Sequence, residues 1–249
     1  MKISIVLPAY NEALRILPSL QRIFAFMQEH HPDFEVIVVD DGSSDDTSDV
    51  VRRTFGNRHQ LSVLSYGGNR GKGFAVRYGA GRAVGEVVLF SDADLSTPVE
   101  DIDKMLPFME QGYDLVIGSR AHAGSEIRQH QHFAREIAGK FFNVCVRLIV
   151  GVPFHDTQCG FKLFRRESMR PVLEQMKIDR FAFDVELVAL AMAMGRKVGD
   201  APVVWSNSPA STVSFWSGLE AYTELFAIRR RARRIRAELA RGELGHARI

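Results

Sequence analysis

Cysteine is nearly absent from this chain. Cys145 and Cys159 are the only two in 249 residues, and their spacing matches no close metal-ligand pattern. That argues against a disulfide scaffold and fits a reducing, cytoplasmic setting. Long hydrophobic runs are missing as well. The longest candidate, residues 141–150, is broken by Asn143 and Arg147 and falls short of the ~18–20 apolar residues that a spanning helix needs. No segment is therefore expected to cross a membrane. The N-terminus has neither a basic start nor a cleavage site; it enters directly into Ile3-Ser4-Ile5-Val6-Leu7, so a signal peptide is not expected. Neither sign of charge is in large excess, and a formal net charge of +2 names no partner. Repeats, low-complexity stretches and a clear linker are absent too. What remains is ordinary globular composition, 46% hydrophobic and 25% charged, in a length that suits one large domain or a domain with an appendage.

The first hundred or so residues alternate two periodicities. Strands are predicted over 3–7, 34–39, 61–65, 86–91 and 115–118, where apolar and β-branched residues run together. Between them, Leu14, Leu17, Leu20, Ile23, Phe24 and Met27 recur at helical spacing. Ser43-Ser44-Asp45-Asp46-Thr47 offers turn and N-cap chemistry for a second helix, and residues 74–83 read as a third. Alternating units imply an α/β fold, a Rossmann-like, mostly parallel sheet with helices on both faces. Farther on the pattern changes: 121–131 reads as a polar loop, 133–150 as an amphipathic helix, 151–164 as turns mixed with aromatics and 185–194 as a buried helix. The expected division is a catalytic domain 1–213, with halves 1–95 and 96–213, followed by a basic helical extension 214–249.

Two acidic clusters each end an apolar run: Asp40-Asp41 after Val36-Ile37-Val38-Val39, and Asp92-Ala93-Asp94 after Val87-Val88-Leu89-Phe90-Ser91. Carboxylates where strands leave an open α/β sheet lie in the crevice where such sheets bind ligands. They would repel a nucleotide's phosphates unless a divalent cation lay between. Mg²⁺ and Mn²⁺ prefer carboxylate oxygens and remain shared with substrate phosphates. The Asp92-x-Asp94 spacing therefore points to a metal-bridged nucleotide diphosphate, with Asp94 and Asp92 as metal ligands. The competing reading, that aspartate simply favours strand ends and turns, would prevail for either cluster alone.

Together with Val6-Leu7-Pro8-Ala9-Tyr10-Asn11-Glu12 and Asn69-Arg70-Gly71-Lys72-Gly73, these clusters fall in an order that resembles the inverting family 2 glycosyltransferases of GT-A fold. Gly118-Ser119-Arg120, Asp156-Thr157-Gln158-Cys159-Gly160-Phe161-Lys162 and Phe181-Ala182-Phe183-Asp184-Val185-Glu186-Leu187 extend the resemblance to the dolichyl-phosphate glucosyltransferase and polyprenyl-phosphate sugar synthase branch. The resemblance implies a hexose, glucose first, passing from a UDP-sugar to a polyprenyl or dolichyl phosphate at the cytoplasmic membrane face, with Mg²⁺ or Mn²⁺. It places the nucleotide-sugar on Pro8, Ala9, Tyr10, Glu12, Asp40, Lys72, Asp92, Ala93 and Asp94. Tyr10 can cover the base, Glu12 and Asp40 can accept from uracil or ribose, and Lys72 can add charge near the diphosphate.

The acceptor decides the rest of the chemistry. A hydroxyl acceptor needs a general base, whereas a phosphomonoester, with a second pKa of ~6, is already largely ionised at neutral pH and needs cations. Arg120, Arg128 and Arg135 are candidates for those cations, with Gln158 as a further polar contact. Asp156 is the candidate base or nucleophile-orienting group, and Arg120 and Asp156 form the expected catalytic pair. Asp184 and Glu186 could line the acceptor side or be structural. His130-x-His132 lacks a third metal ligand nearby, and His155 beside Asp156 merits one variant.

From Phe215 onward a helical pattern joins Tyr222, Leu225, Phe226, Ile228, Ile235 and Leu239 to a run of arginines, Arg229 to Arg241. Such a helix suits an anionic membrane surface, with Phe141-Phe142 and Leu148-Ile149-Val150 as a second apolar contribution. A solvated helix packed on the domain is the bland alternative. No nucleic-acid motif accompanies the arginines, and the oligomeric state, a homo-oligomer included, stays open. In the branch resembled, a basic residue often follows a serine just before the aromatic segment; here Thr212 follows Ser211 and supplies no charge. GDP-mannose, a hydroxyl acceptor, a nucleotidyltransferase and a non-catalytic sugar-nucleotide-binding module are the remaining rivals.

Overall fold

The computed structural model describes residues 1–129, 133–207 and 215–243, with the side chains of 133–135 and 215–220 outside the description. His130, His132, the Ser211-Thr212-Val213 stretch and the side chains of Arg135, Phe215 and Trp216 thus lie outside the described residues. The chain runs β1 (Ile3–Ala9), α1 (Ile16–His30), β2 (Phe34–Asp40), α2 (Thr47–Phe55), β3 (Leu61–Ser65), α3 (Lys72–Ala80), β4 (Val87–Ser91), α4 (Ile102–Glu110) and β5 (Leu115–Ser119). It continues through β6 (Glu126–Gln129), α5 (Phe133–Cys145), a π-helical turn (Val146–Val150), β7 (Phe161–Arg165), α6 (Arg166–Gln175), α7 (Phe183–Ala193), β8 (Val198–Pro202), β9 (Val204–Ser206) and α8 (Phe215–Ala240).

Seven strands form the central sheet in the order β3-β2-β1-β4-β7-β5-β8. All pair in parallel except β7, which is antiparallel to both β4 and β5. Every residue of β1, β4 and β5 is buried, as expected for strands covered by helices on both faces. Alternate residues feed two separate cores. Ile3, Ile5 and Leu7 meet Leu20, Ile23 and Phe24 of α1, while Val6 meets Ala75 and Val76 of α3.

Three sequence expectations change here. Residues 121–131 are not all loop, because Glu126–Gln129 form β6, which pairs with β9 in a small second sheet. The turn-rich stretch 151–164 gives way to β7, hidden by Lys162 in the middle of its apolar run. The apolar stripe of α8 faces inward: Ala221, Leu225, Ile228, Ala232 and Ile235 are buried in the same core as α7. Burying each larger aliphatic side chain contributes about 1.5–3 kcal/mol, so this stripe holds α8 on the domain and is not free to enter a bilayer. Sandwiched between the sheet and α8, α7 is buried on nearly every side.

Candidate active site

β1, β2 and β4 lie side by side and parallel, so the loops after Ala9, Asp40 and Ser91 leave the same edge of the sheet. The first two loops are stitched together. Asn11 N–H donates to Ser43 Oγ (3.0 Å), Ser44 N–H to Asn11 Oδ1 (2.8 Å) and Glu12 N–H to Thr47 Oγ1 (2.8 Å). Pro8 and Ala9 are buried at the end of β1, and Tyr10 is exposed just beyond them. Asp40 accepts Ser43 N–H (2.9 Å) and the Ser48 hydroxyl, so it shapes its own loop as well as facing the crevice edge.

Asp41 organises the glycine loop, a role with no signal in the sequence beyond its place in the motif. Its carboxylate accepts Arg70 N–H (2.7 Å), Gly71 N–H (2.8 Å), the Asn69 amide (3.0 Å) and the Tyr66 hydroxyl (2.9 Å). Burial, and then that bond to Asp41, pushes the Tyr66 pKa upward, so the phenol stays protonated and donates. Gly71 holds a φ of 104°, which favours glycine. Lys72 follows it and forms an ion pair with Asp92. Burial works against the Lys72 charge, but Asp92 and then Asp184 outweigh it and raise its pKa.

Asp94 accepts Ser96 N–H (3.0 Å) across Leu95, whose φ is 48°. Glu12 also feels the charge of Asp94 and Asp92. Burial raises the Glu12 pKa against the pull of Arg15, and the two aspartates add to the rise. Glu12 Oε2 is buried with no hydrogen-bond partner. Among the described residues, no three His, Cys, Asp or Glu side chains are grouped as a metal cage. Mg²⁺ asks for less, since one or two carboxylates suffice when substrate phosphates and water complete the shell. Asp92 and Asp94, two carboxylates separated by one residue just past the end of β4, fit that requirement and would hold such an ion. Cys159 is no competitor for it, because burial pushes its thiol up to about 11.

Beyond the end of β5 lies a cleft of about 320 Å³, lined by Arg120, Lys140, Asn143, Arg147, Asp156 and Trp205 among others. Asp156 is buried, and its oxygens are taken. Arg120 Nε donates to Oδ2 (2.7 Å), Arg120 Nη2 to Oδ1 (2.9 Å), Arg120 N–H to Oδ2 (2.9 Å) and Gln158 N–H to Oδ1 (3.2 Å). Burial would raise the Asp156 pKa, but the Arg120 charge and hydrogen bonds overturn that and hold it below the ordinary value. A carboxylate held low by a bidentate guanidinium is a poor proton acceptor. The two side chains expected as a catalytic pair are thus in direct contact, with both Asp156 oxygens engaged by Arg120 and the Gln158 N–H. Arg120 also lies over the Trp205 ring at 5.4 Å.

The other expected acceptor groups separate. Arg128 sits on β6, exposed, paired with Glu126 (3.0 Å) and away from the cleft. The sequence offers it as a cation for the acceptor phosphate, and the pairing of β6 with β9 leaves it exposed. Arg135 lies on α5 with its side chain outside the described residues. Gln158 meets the site through its backbone N–H. Asp184 is buried with Lys162, and Glu186 accepts Lys177 and Ile178 N–H groups; both are internal rather than cleft-lining. Sequence reasoning overlooks Lys140 and Arg147, two further cleft cations. Their i,i+7 spacing on one helix face is the signal that could have found them. Lys140 pairs with Glu136 (3.0 Å), and Arg147 Nη1 faces His155 Nδ1 (3.1 Å) while its Nε has no hydrogen-bond partner.

The family model "Glycosyl transferase family 2" matches residues 4–173. The dolichyl-phosphate beta-glucosyltransferase of Drosophila melanogaster is 37% identical over 243 residues, covering 92% of this chain and 74% of the fly protein. That of Homo sapiens is 34% identical over 249 residues, covering 92% of this chain and 75% of the human one. Among solved structures, glucosyl-3-phosphoglycerate synthase from Mycobacterium tuberculosis with phosphoglyceric acid has a TM-score of 0.68 at 19% identity, covering 91% of this chain and 79% of that one. A mannosyltransferase from Pyrobaculum calidifontis with GDP-Man and Mn²⁺ has a TM-score of 0.61 at 22% identity, covering 98% and 76%. Identities that low speak for the fold alone.

Proposed function

The chain belongs to glycosyl transferase family 2 and has the GT-A fold; from that premise we propose that it moves glucose from UDP-glucose onto dolichyl or another polyprenyl phosphate at the cytoplasmic face of a membrane. The curated relatives named for dolichyl-phosphate glucosylation support the acceptor class. The observation that carries the reading is the state of Asp156. With its oxygens committed to Arg120 and Gln158, Asp156 is not free to take a proton, and the cleft sets three cations, Arg120, Lys140 and Arg147, beside Glu136 and His155. That suits an acceptor that arrives already ionised.

In this reading the nucleotide lies over the β1 and β2 loops, with Tyr10 against the base and Glu12 and Asp40 toward uracil and ribose. The glycine loop presents Lys72 to the diphosphate. A divalent ion held by Asp94 and Asp92 would offset the charge that develops on UDP as it departs. In the cleft, Arg120 and its neighbours orient the acceptor phosphate. One of its oxygens attacks the anomeric carbon as the bond from that carbon to the UDP β-phosphate oxygen breaks. The bonding pair leaves with UDP, no proton needs to be removed, and in-line displacement inverts the α-linked donor to a β-linked lipid phosphosugar.

The test runs radiolabelled UDP-glucose, UDP-GlcNAc and GDP-mannose in parallel with polyprenyl phosphate and Mn²⁺ or Mg²⁺. Organic-extractable label is expected from UDP-glucose, and it is expected to vanish on chelation and in Asp94→Ala. UDP release without lipid label would overturn the phosphate acceptor in favour of a hydroxyl. Label from GDP-mannose alone would overturn the donor.

A further inference from the structure

The donor loop and the C-terminal helix are far apart in sequence, yet a continuous set of contacts joins them. Glu186 of α7 is fully buried. It accepts the Lys177 N–H (3.0 Å) and Ile178 N–H (2.8 Å), and Arg231 of α8 donates to its other oxygen. The backbone that Glu186 fixes is the one against which the glycine loop rests. Asp179 O accepts Phe74 N–H (3.2 Å), and Ile178 O accepts Arg77 Nη1 (2.8 Å). A Cβ added at Gly71 would come 2.5 Å from Asp179 O, and one at Gly73 would come 2.7 Å from Ile178 O. Both glycines thus touch this segment directly, and Lys72 stands between them.

We propose that Arg231 is a positioning residue for donor binding: by neutralising and orienting Glu186 it fixes residues 177–179, and through them the Gly71-Lys72-Gly73 loop that meets the nucleotide diphosphate. The outer arginines of α8, such as Arg230, Arg233 and Arg236, are exposed, whereas Arg231 points inward to a buried carboxylate with no other cationic partner among the described residues. Such a carboxylate, left uncompensated, destabilises its surroundings far more than a surface charge does. The disturbance would fall on Lys177 and Ile178, whose N–H groups it holds, and on Asp179 beside them. This inference rests on the proposed reading of the Lys72 loop as the diphosphate contact.

The experiment measures UDP affinity with Mn²⁺ by calorimetry on the full chain, alongside donor and acceptor KM. Arg231→Met is expected to weaken UDP binding and raise donor KM about tenfold, the scale of one lost charged hydrogen bond, with acceptor KM unchanged. Arg231→Lys is expected to recover most of that loss. If Arg231→Met does not fold, the double variant Arg231→Met/Glu186→Gln, which removes the stranded charge, is read by the same criterion. Lys72→Ala serves as the reference. Unchanged UDP affinity in the Arg231 variants, with a loss in Lys72→Ala, overturns the relay and leaves the loop's role standing. Unchanged affinity in Lys72→Ala overturns that role itself. Equal loss of donor and acceptor KM in Arg231→Met would mean general destabilisation and also overturn the relay.

Discussion

Gly160 lies directly against the Asp92 carboxylate. A Cβ at that glycine would stand 2.1 Å from Asp92 Oδ2 and 2.4 Å from its Cγ, and Asp92 N–H donates to Gly160 O (3.1 Å). The two motifs of the chain, one acidic and one in the middle third, are therefore one piece of structure. The obstructing atoms belong to the end of a side chain, so Gly160→Ala can be accommodated by turning Asp92 away. We expect a stability change within about 1 kcal/mol but a fall in kcat/KM of about a hundredfold, the scale of an ångström's misplacement at a reacting centre. Thermal unfolding and steady-state kinetics on the same variant check this. A large fall in Tm with kinetics preserved would contradict it.

Asp156 gives a prediction on two axes. Replacing it by alanine strands the partly buried Arg120 and should destabilise the protein by about 3 kcal/mol. Its carboxyl sits below the ordinary 3.8 in the folded protein, so the unfolded chain binds the proton more readily. The stabilisation is complete above pH ~5 and is lost as pH falls through the folded-state value. Urea titrations of wild type and Asp156→Asn at pH 7 and at about pH 3, below the unfolded-state value, should therefore show their difference shrinking in acid.

The rate should follow a different group. If the acceptor phosphate attacks as an ion, the acidic limb of kcat/KM tracks its second pKa near 6. Residual activity in Asp156→Asn should keep that limb in place. A limb that disappears in the variant would restore Asp156 as a general base.

Asp41 holds four donors on its own, so Asp41→Ala leaves the Arg70 and Gly71 N–H groups, the Asn69 amide and the Tyr66 hydroxyl without that acceptor. Each buried unsatisfied group costs roughly 1–3 kcal/mol, with the lower figure applying where water enters the loop. The expected outcome is UDP affinity lowered at least as far as in Lys72→Ala, because the whole loop loses its anchor rather than one cation. Fluorescence titration with UDP and Mn²⁺ compares the two variants.

How far the sequence reaches follows from the same geometry. Strands β1, β2, β4 and β5 are legible because interior strands are covered on both faces, leaving uninterrupted apolar runs such as Val36-Ile37-Val38-Val39, and the edge strand β3 is read from its β-branched and apolar residues alone. β7 is not, because Lys162 sits fully buried within it and is tolerated only through Asp184, a partner 22 residues away. β8 is hidden by Gly199, Asp200 and Pro202 at the edge of the sheet. The donor side reads well, since its groups come from strand ends and tight loops where spacing and chemistry coincide. The cleft reads poorly, because Lys140 and Arg147 come to it from α5 and the π-helical turn that follows, across from Arg120 just past β5. Arg128, nearer in sequence to Arg120, is turned away by the pairing of β6 with β9.

The face of α5 and of its π-helical continuation that turns from the core makes the last prediction. Ile137, Phe141, Val144 and Leu148 follow one another at spacings of four, three and four residues, and all are exposed, Leu148 by 78%. Phe226 of α8 adds another exposed ring, and a groove of about 220 Å³ beside Leu148 is lined by Arg229, Arg233 and Arg236. Scattered apolar residues on a surface need no explanation, but a stripe with a basic rim does. Since the inward stripe of α8 is committed to the core, the membrane contact proposed for a lipid acceptor falls to this outer face of α5. Phe141→Ser with Leu148→Ser should weaken co-sedimentation with phosphatidylserine vesicles about a hundredfold, from about 1.5 kcal/mol of burial per side chain. UDP binding should stay unchanged. Because each nearby arginine adds about 1 kcal/mol at an anionic surface, the remaining binding should be abolished by high salt. Vesicle binding that survives the double variant in full, yet disappears in salt, would assign the contact to the arginines alone.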